Sequence, residues 1–246
     1  MKHATPSTTA LLADAAAAAI ASDPDDRRLW DLIYALQERA SRDVFEAAAA
    51  WCRSPSPPMR RLGVDLLGEL GLDASLPFAR ESEPLLLPLL TDTEATVVAA
   101  AARALGTLGA DDTVTLCRVA SHPAADVRAA VARSLCDLAG PGVVPTLIAL
   151  TRDTEAAVRQ LATSGLGGFD REDTEDVRLA LVERLEDTDA ETRDEAIFAL
   201  AQLGDDRVSA ALRAALEEPE TSELIEMAAM AVENRRHTGR PLPRPN

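Results

Sequence analysis

Residues 122–140 read HPAADVRAAVARSLCDLAG, and the same outline returns as DTEATVVAAAARALGTLG at 92–109, DTEAAVRQLATSGLGG at 153–168 and DTDAETRDEAIFALAQLG at 187–204. Aligning Val97, Val127, Val158 and Thr192 gives steps of 30, 31 and 34 residues. Upstream, SPPMRRLGVDLLGELG puts Met59 in that column, 38 residues before Val97; downstream, SELIEMAAMAVENR puts Leu224 there, 32 residues after Thr192. A degenerate first copy, DDRRLWDLIYALQER, opens near Arg27. Self-similarity at this period marks a solenoid, because each copy is one supersecondary unit that must stack on its neighbours to bury its apolar faces.

Each copy holds two helical patterns. In the first, positions 127, 130, 131, 134, 135 and 138 are apolar or small, which is one wide face of a helix. A turn rich in Gly, Asp or Pro follows, as at Gly109, Gly140 and Gly204. The second pattern is Val143–Leu150, with counterparts at Val114–Ala120, Val177–Leu185 and Val208–Leu216. Aromatic residues make up only 3% of the chain, and Ala and Leu dominate the apolar share. No alternating run of Val, Ile and Thr reads as a strand. The expectation is an all-α superhelix of about six helix pairs. Its organisation is a segment 1–25 with a capping helix, a repeat solenoid over 26–232 and a disordered basic tail over 233–246.

The pattern DxxxxVRxxAxxALGxLG, followed by a helix like VVPxLIxLL, resembles the HEAT-like repeats of the phycobilisome-lyase type over about residues 27–232. That resemblance is specific for fold and silent about activity, because such repeats serve scaffolds, adaptors, chromophore lyases and base-excision enzymes alike. It implies that Arg60, Arg128, Arg159 and Arg193, one residue after the aligned column, form a ladder with Asp92, Asp153 and Asp187, five residues before it. His122 stands in for aspartate in one copy, and Val98 and Ile225 interrupt the arginines. The resemblance also implies that the second helices line the concave face. There the polar positions Thr115, Arg118, Thr146, Arg178, Glu183, Arg184, Ser209 and Arg213 are the candidate partner-binding set.

Charge narrows the partner. The chain has formal net charge −16, and Lys2 is its only lysine, an arginine bias resembling high-GC bacterial proteins. An acidic body repels phosphate backbones, which argues against nucleic acid. A DNA glycosylase of the HEAT-like kind would want a basic groove with aromatic rings, whereas this chain has two Trp and one Tyr. Cys52, Cys117 and Cys136 form no CxxC pair and read as small buried hydrophobes in a reducing cytosol. ALLADAAAAAIA at 10–21 looks faintly like a signal segment, but Asp14 interrupts it and Ser7-Thr8-Thr9 reads better as a helix start. No apolar run reaches membrane-spanning length.

No catalytic motif stands out. His3, His122 and His237 lack metal-ligand spacing, and HExxH, GxSxG, the P-loop and the paired His-Glu motifs of HEAT-repeat hydroxylases are all absent. No cofactor or metal is expected. Protein or peptide binding in the cytoplasm, as scaffold or adaptor, is the function expected; the alternative is an accessory, bilin-lyase-like subunit of a modifying enzyme. Four local features stand outside the pattern. The step of 38 implies an insertion around 72–83, suited to recognition or to mere drift. Pro88 should shorten its helix. Gly165, Gly167 and Gly168 imply close packing, an early helix end or a joint. Trp30 and Trp51 fill a terminal core or form a docking patch, and PLPRP near the C-terminus could adopt polyproline II.

Overall fold

The computed structural model describes residues 6–21, 26–70, 76–168 and 171–238. It divides into two compact units, Met1–Ser134 and Leu135–Asn246. Among the described residues every regular element is helical. The first unit contains α1 (Thr8–Ala21), α2 (Arg27–Gln37), α3 (Arg42–Trp51), α4 (Pro57–Glu69), α5 (Ala79–Leu86), α6 (Ala95–Thr107) and α7 (Thr113–Arg118). The boundary falls inside α8 (Ala125–Asp137). The second unit continues with α9 (Val143–Leu150), α10 (Ala156–Leu166), α11 (Glu175–Arg184), α12 (Ala190–Leu203), α13 (Ser209–Leu216) and α14 (Glu223–Thr238). The result is a HEAT-like solenoid of stacked helix pairs, in which even-numbered helices from α2 onward are the first members and odd-numbered ones the second.

Local chemistry explains the helix ends. Asp26 accepts a hydrogen bond from the Arg28 amide at 2.7 Å, Asp189 one from Thr192 at 2.8 Å, and Thr174 one from Val177 at 3.3 Å. Each relieves an amide that the first helical turn leaves without a partner. His122 plays the same part, its Nδ1 accepting from the Ala124 amide at 3.1 Å. Helix α12 stops at Gly204, which is left-handed at φ +67. Pro88 ends α5 at Leu86, and the chain passes into a 3-10 turn over Leu87–Thr91. Helix α10 likewise ends at Leu166, with Gly167 as its cap. Gly165 is buried, and a Cβ there would lie 3.1 Å from the Cys136 sulfur, so close packing accounts for it.

Helix α1 packs on α2, α3 and α4 and covers the first pair. At the other end α14 runs through Thr238, six residues into the segment expected as a tail; residues 239–246, including PLPRP, lie outside the described residues. So do His3, residues 22–25 and the first part of the expected insertion, 72–75. Its remainder is packed against the scaffold. Phe78 stacks on Phe45 at 4.9 Å, and Arg42 lies over both rings while pairing with Glu81 at 2.7 Å. Glu83 accepts from the amides of Asp111 and Asp112, at the entry to α7. The ion pair is half exposed and should contribute little, whereas the ring stack removes apolar area from water. Phe78→Ala should therefore cost about 1–2 kcal/mol in urea unfolding, and Glu81→Gln should leave the midpoint nearly unchanged.

Of the three cysteines only Cys52 is buried, and burial pushes its thiol up to about 12, so it stays protonated and inert. Cys117 and Cys136 are half-buried rather than core residues.

Candidate functional site

In the first unit, α4 and α6 pack along each other through small residues, whereas α5 and α7 have no such extended contact. A Cβ on Gly68 would lie 2.8 Å from that of Ala104, and one on Gly106 only 2.6 Å from that of Ser134. The Ser134 hydroxyl donates to the carbonyl of Ala102 or Ala130, 2.8 Å from each. Helices drawn together on one side and spread on the other curve toward the tight side. The hollow of this unit therefore lies on the first helices. The expected partner-binding positions lie on the second helices, which contribute no residue to this hollow.

The hollow is a groove of about 730 Å³. Helix α2 contributes Trp30 and α4 contributes Arg61. Helix α6 adds Thr96, Ala99 and Arg103, and α8 adds Asp126, Ala129, Ala130 and Arg133. On α6 and α8 these positions follow a three- and four-residue rhythm, so they form one stripe along each helix. Alanines make the floor; Arg103 and Arg133 are exposed above it. Arg61 is buried at 8% exposure and bonds Asp65, one turn along α4, at 2.6 Å. Glu69, a further turn on, is raised above the ordinary carboxylate range by burial and by the nearby Asp65 charge. Trp30 is half-buried and tilts against Tyr34 at 5.8 Å, so it belongs to the groove wall and not to a terminal core. Trp51 is also half-buried. A smaller apolar cavity of about 300 Å³, between Ala19, Leu29, Pro57 and Leu62, shares Arg61 and Thr96 with the groove.

The second-helix candidates are differently employed. Thr115 bonds Asp112 at the start of α7 through both its amide and its hydroxyl. Arg178 donates to both oxygens of Asp173, to Asp205 at 3.0 Å and to the Leu203 carbonyl. Glu183 receives a two-pronged bond from Arg152, and Arg184 reaches Asp187 at 3.1 Å. These four side chains tie turns and helices of the scaffold together. Arg118, Ser209 and Arg213 are exposed and Thr146 is half-buried, and none of these lines the groove. An open cleft in the second unit does include Glu183 and Arg184, but there each arginine already faces a carboxylate.

Repeating acids and bases meet across neighbouring turns. Arg60 holds Asp92 at 2.6 and 2.7 Å, and Arg159 holds Asp187 at 2.8 and 2.7 Å. Each arginine also donates to carbonyls five and six residues upstream, as do Arg128 to His122 and Pro123 and Arg193 to Asp187 and Thr188. The guanidinium thus braces its own turn as well as the next one. The Arg159 hydrogen bonds hold Asp187 down to about 2, and Arg60 lowers Asp92 in the same way. Asp153 caps its turn by accepting from the Glu155 amide. Val98 and Ile225, where the arginine column lapses, are buried apolar residues.

Among the described residues no group of three His, Cys, Asp or Glu side chains is placed to hold a metal ion. No helix there is long and apolar enough to cross a membrane.

HEAT-repeat models match residues 84–111 and, in two overlapping copies, 113–177 and 145–233. The chain belongs to the HEAT-repeat superfamily. Among solved structures it is similar to YibA of Escherichia coli, at 22% identity over 97% of this chain and 90% of that one, with a TM-score of 0.71. An archaeal HEAT-like repeats protein from Thermococcus onnurineus shares 14% identity over 94% and 97% of the two chains, with a TM-score of 0.58. A chain of the CpcE–CpcF phycocyanin lyase complex from Nostoc shares 17% over 95% and 96%, with a TM-score of 0.52. At these identities the likeness is one of fold. No curated protein matches the sequence. The HEAT-repeat solenoid is consistent with a protein-interaction scaffold in general.

The sequence itself carries a signal for the groove. Arg103 and Arg133 occupy the same position of consecutive first helices, six residues past the aligned valine, in stretches otherwise built of alanine.

Proposed function

We propose that this HEAT-repeat chain is a protein-binding scaffold whose docking surface is the groove on the first helices of the first unit. The observation that carries this is a concave, alanine-floored groove that gathers Arg61, Arg103 and Arg133 with a half-buried tryptophan in a chain of net charge −16. Arginine and tryptophan are the side chains most enriched at binding hot spots, and a rigid helical wall holds them at little entropic cost on binding. The second-helix arginines support the reading less, since Arg178 and Arg184 are held by aspartates of the scaffold.

A photoreactive residue introduced at Ala129, on the groove floor, tests the proposal in the native cell. It should crosslink to one protein, whereas the same residue at the exposed Ala214 of α13 should not. Ala129→Trp, which fills the groove, should abolish capture of that protein by the otherwise unchanged chain. Equal crosslinking from both positions, or a crosslink to nucleic acid, would overturn the assignment.

A further inference from the structure

We infer that the groove takes an extended acidic segment of its partner, with carboxylates repeating every third residue. The inference rests on the groove being the docking surface and adds the chemistry of what docks there. Arg103 on α6 and Arg133 on α8 stand at equivalent positions of adjacent first helices, both exposed on the same wall. Arg133 makes no hydrogen bond or ion pair among the described residues. Packed helices lie about 8–10 Å apart, which sets the spacing of the two guanidinium stems. A polyproline II segment advances about 3.1 Å per residue and returns to the same face every three residues. Carboxylates three apart on such a segment therefore recur at about 9 Å, within the about 8–10 Å that separates packed helices.

The surroundings favour the same ligand. Arg61 is already paired with Asp65, so the exposed charges of the groove are Arg103 and Arg133 against Asp126, in a chain that is strongly acidic as a whole. Asp126 starts α8 and lies seven residues from Arg133, about 10 Å along the helix axis, so it leaves the arginine end of the wall positive. The alanine floor has no side chain to obstruct a backbone crossing the helices. An acidic segment is thus drawn to the arginine end of this groove.

The test uses the full chain and a fluorescein-labelled peptide of about twelve residues with aspartate at every third position among alanine and proline. Saturable anisotropy is expected, weakening by about tenfold or more when Arg103→Glu and Arg133→Glu are combined. It should fall with added salt and be unaffected by Arg213→Glu on the second unit. Arg133→Glu alone, at an exposed position, should still weaken binding if the double variant fails to fold. Equal binding of the peptide with every aspartate changed to asparagine would overturn the inference while leaving the groove as docking surface. So would aspartates at every second position binding as tightly, or a single-stranded oligonucleotide displacing the peptide. Absence of any peptide binding overturns the inference, and the groove reading falls with it only if the crosslink from position 129 is also absent.

Discussion

Replacing Gly63 by alanine should destabilise the first unit by about 2–3 kcal/mol, although alanine is the better helix former. Gly63 lies within α4, where propensity alone would reward alanine by about 1 kcal/mol. Packing reverses the sign. A Cβ at position 63 would stand 2.7 Å from the Ala48 carbonyl oxygen, 2.7 Å from the Cys52 amide nitrogen and 3.0 Å from the Cys52 sulfur. Two of the three obstacles are backbone, so α3 must move away from α4, and the interior has no slack to absorb the shift. The expected result is a lower urea midpoint at an unchanged slope, since the same surface is exposed on unfolding. Cys52→Ala in the same background should give little rescue, because it removes only the sulfur contact. Full rescue would mean that the side chain, and not the backbone approach, sets the requirement for glycine.

That example shows which parts of the molecule were legible. The columns of Val97, Val127 and Val158 marked helices because burial imposes a period that composition cannot hide. The valines are all fully buried. Aspartates and arginines repeated at fixed offsets, and Arg60–Asp92 and Arg159–Asp187 meet across neighbouring turns. The side on which the first unit curves was harder. It depends on how closely first and second helices approach, and so on small differences at Gly68, Gly106 and Ser134, which a hydrophobic period does not weigh. The employment of Arg178 and Glu183 was also hidden, since their partners Asp173, Asp205 and Arg152 sit in turns outside the repeating columns. Trp30 escaped the core because α2 opens the repeats and faces the groove with one side.

Asp187→Asn should destabilise the second unit by about 3 kcal/mol at neutral pH, and the difference from the natural chain should shrink by about 2 kcal/mol as the solution is acidified. The pair it breaks is almost out of solvent, with 3% of the Asp187 side chain and 12% of the Arg159 side chain exposed. Arg184 also contacts the same carboxylate at 3.1 Å. Asparagine is nearly isosteric but leaves two arginines facing a neutral amide. The sign of the pH dependence follows from the direction of the shift. Hydrogen bonds from Arg159 hold Asp187 at about 2 in the folded chain, against about 3.9 for an ordinary aspartate. A depressed carboxylate contributes stability that is complete above the unfolded value and lost as pH falls through the folded one. Over the window from about pH 4 to about pH 2 the natural chain should therefore lose about 2 kcal/mol that the variant has already lost. Asp92 and Asp205 are lowered by the same kind of contact, from Arg60 and from Arg207, so both proteins will also weaken in acid for reasons they share. The difference between them isolates Asp187. Urea titrations of the two proteins at about pH 7, 4 and 2 should give a gap that narrows by about 2 kcal/mol. A gap that stays constant with pH would show that position 187 acts through packing, and that the charge of the pair contributes nothing to holding the turns together.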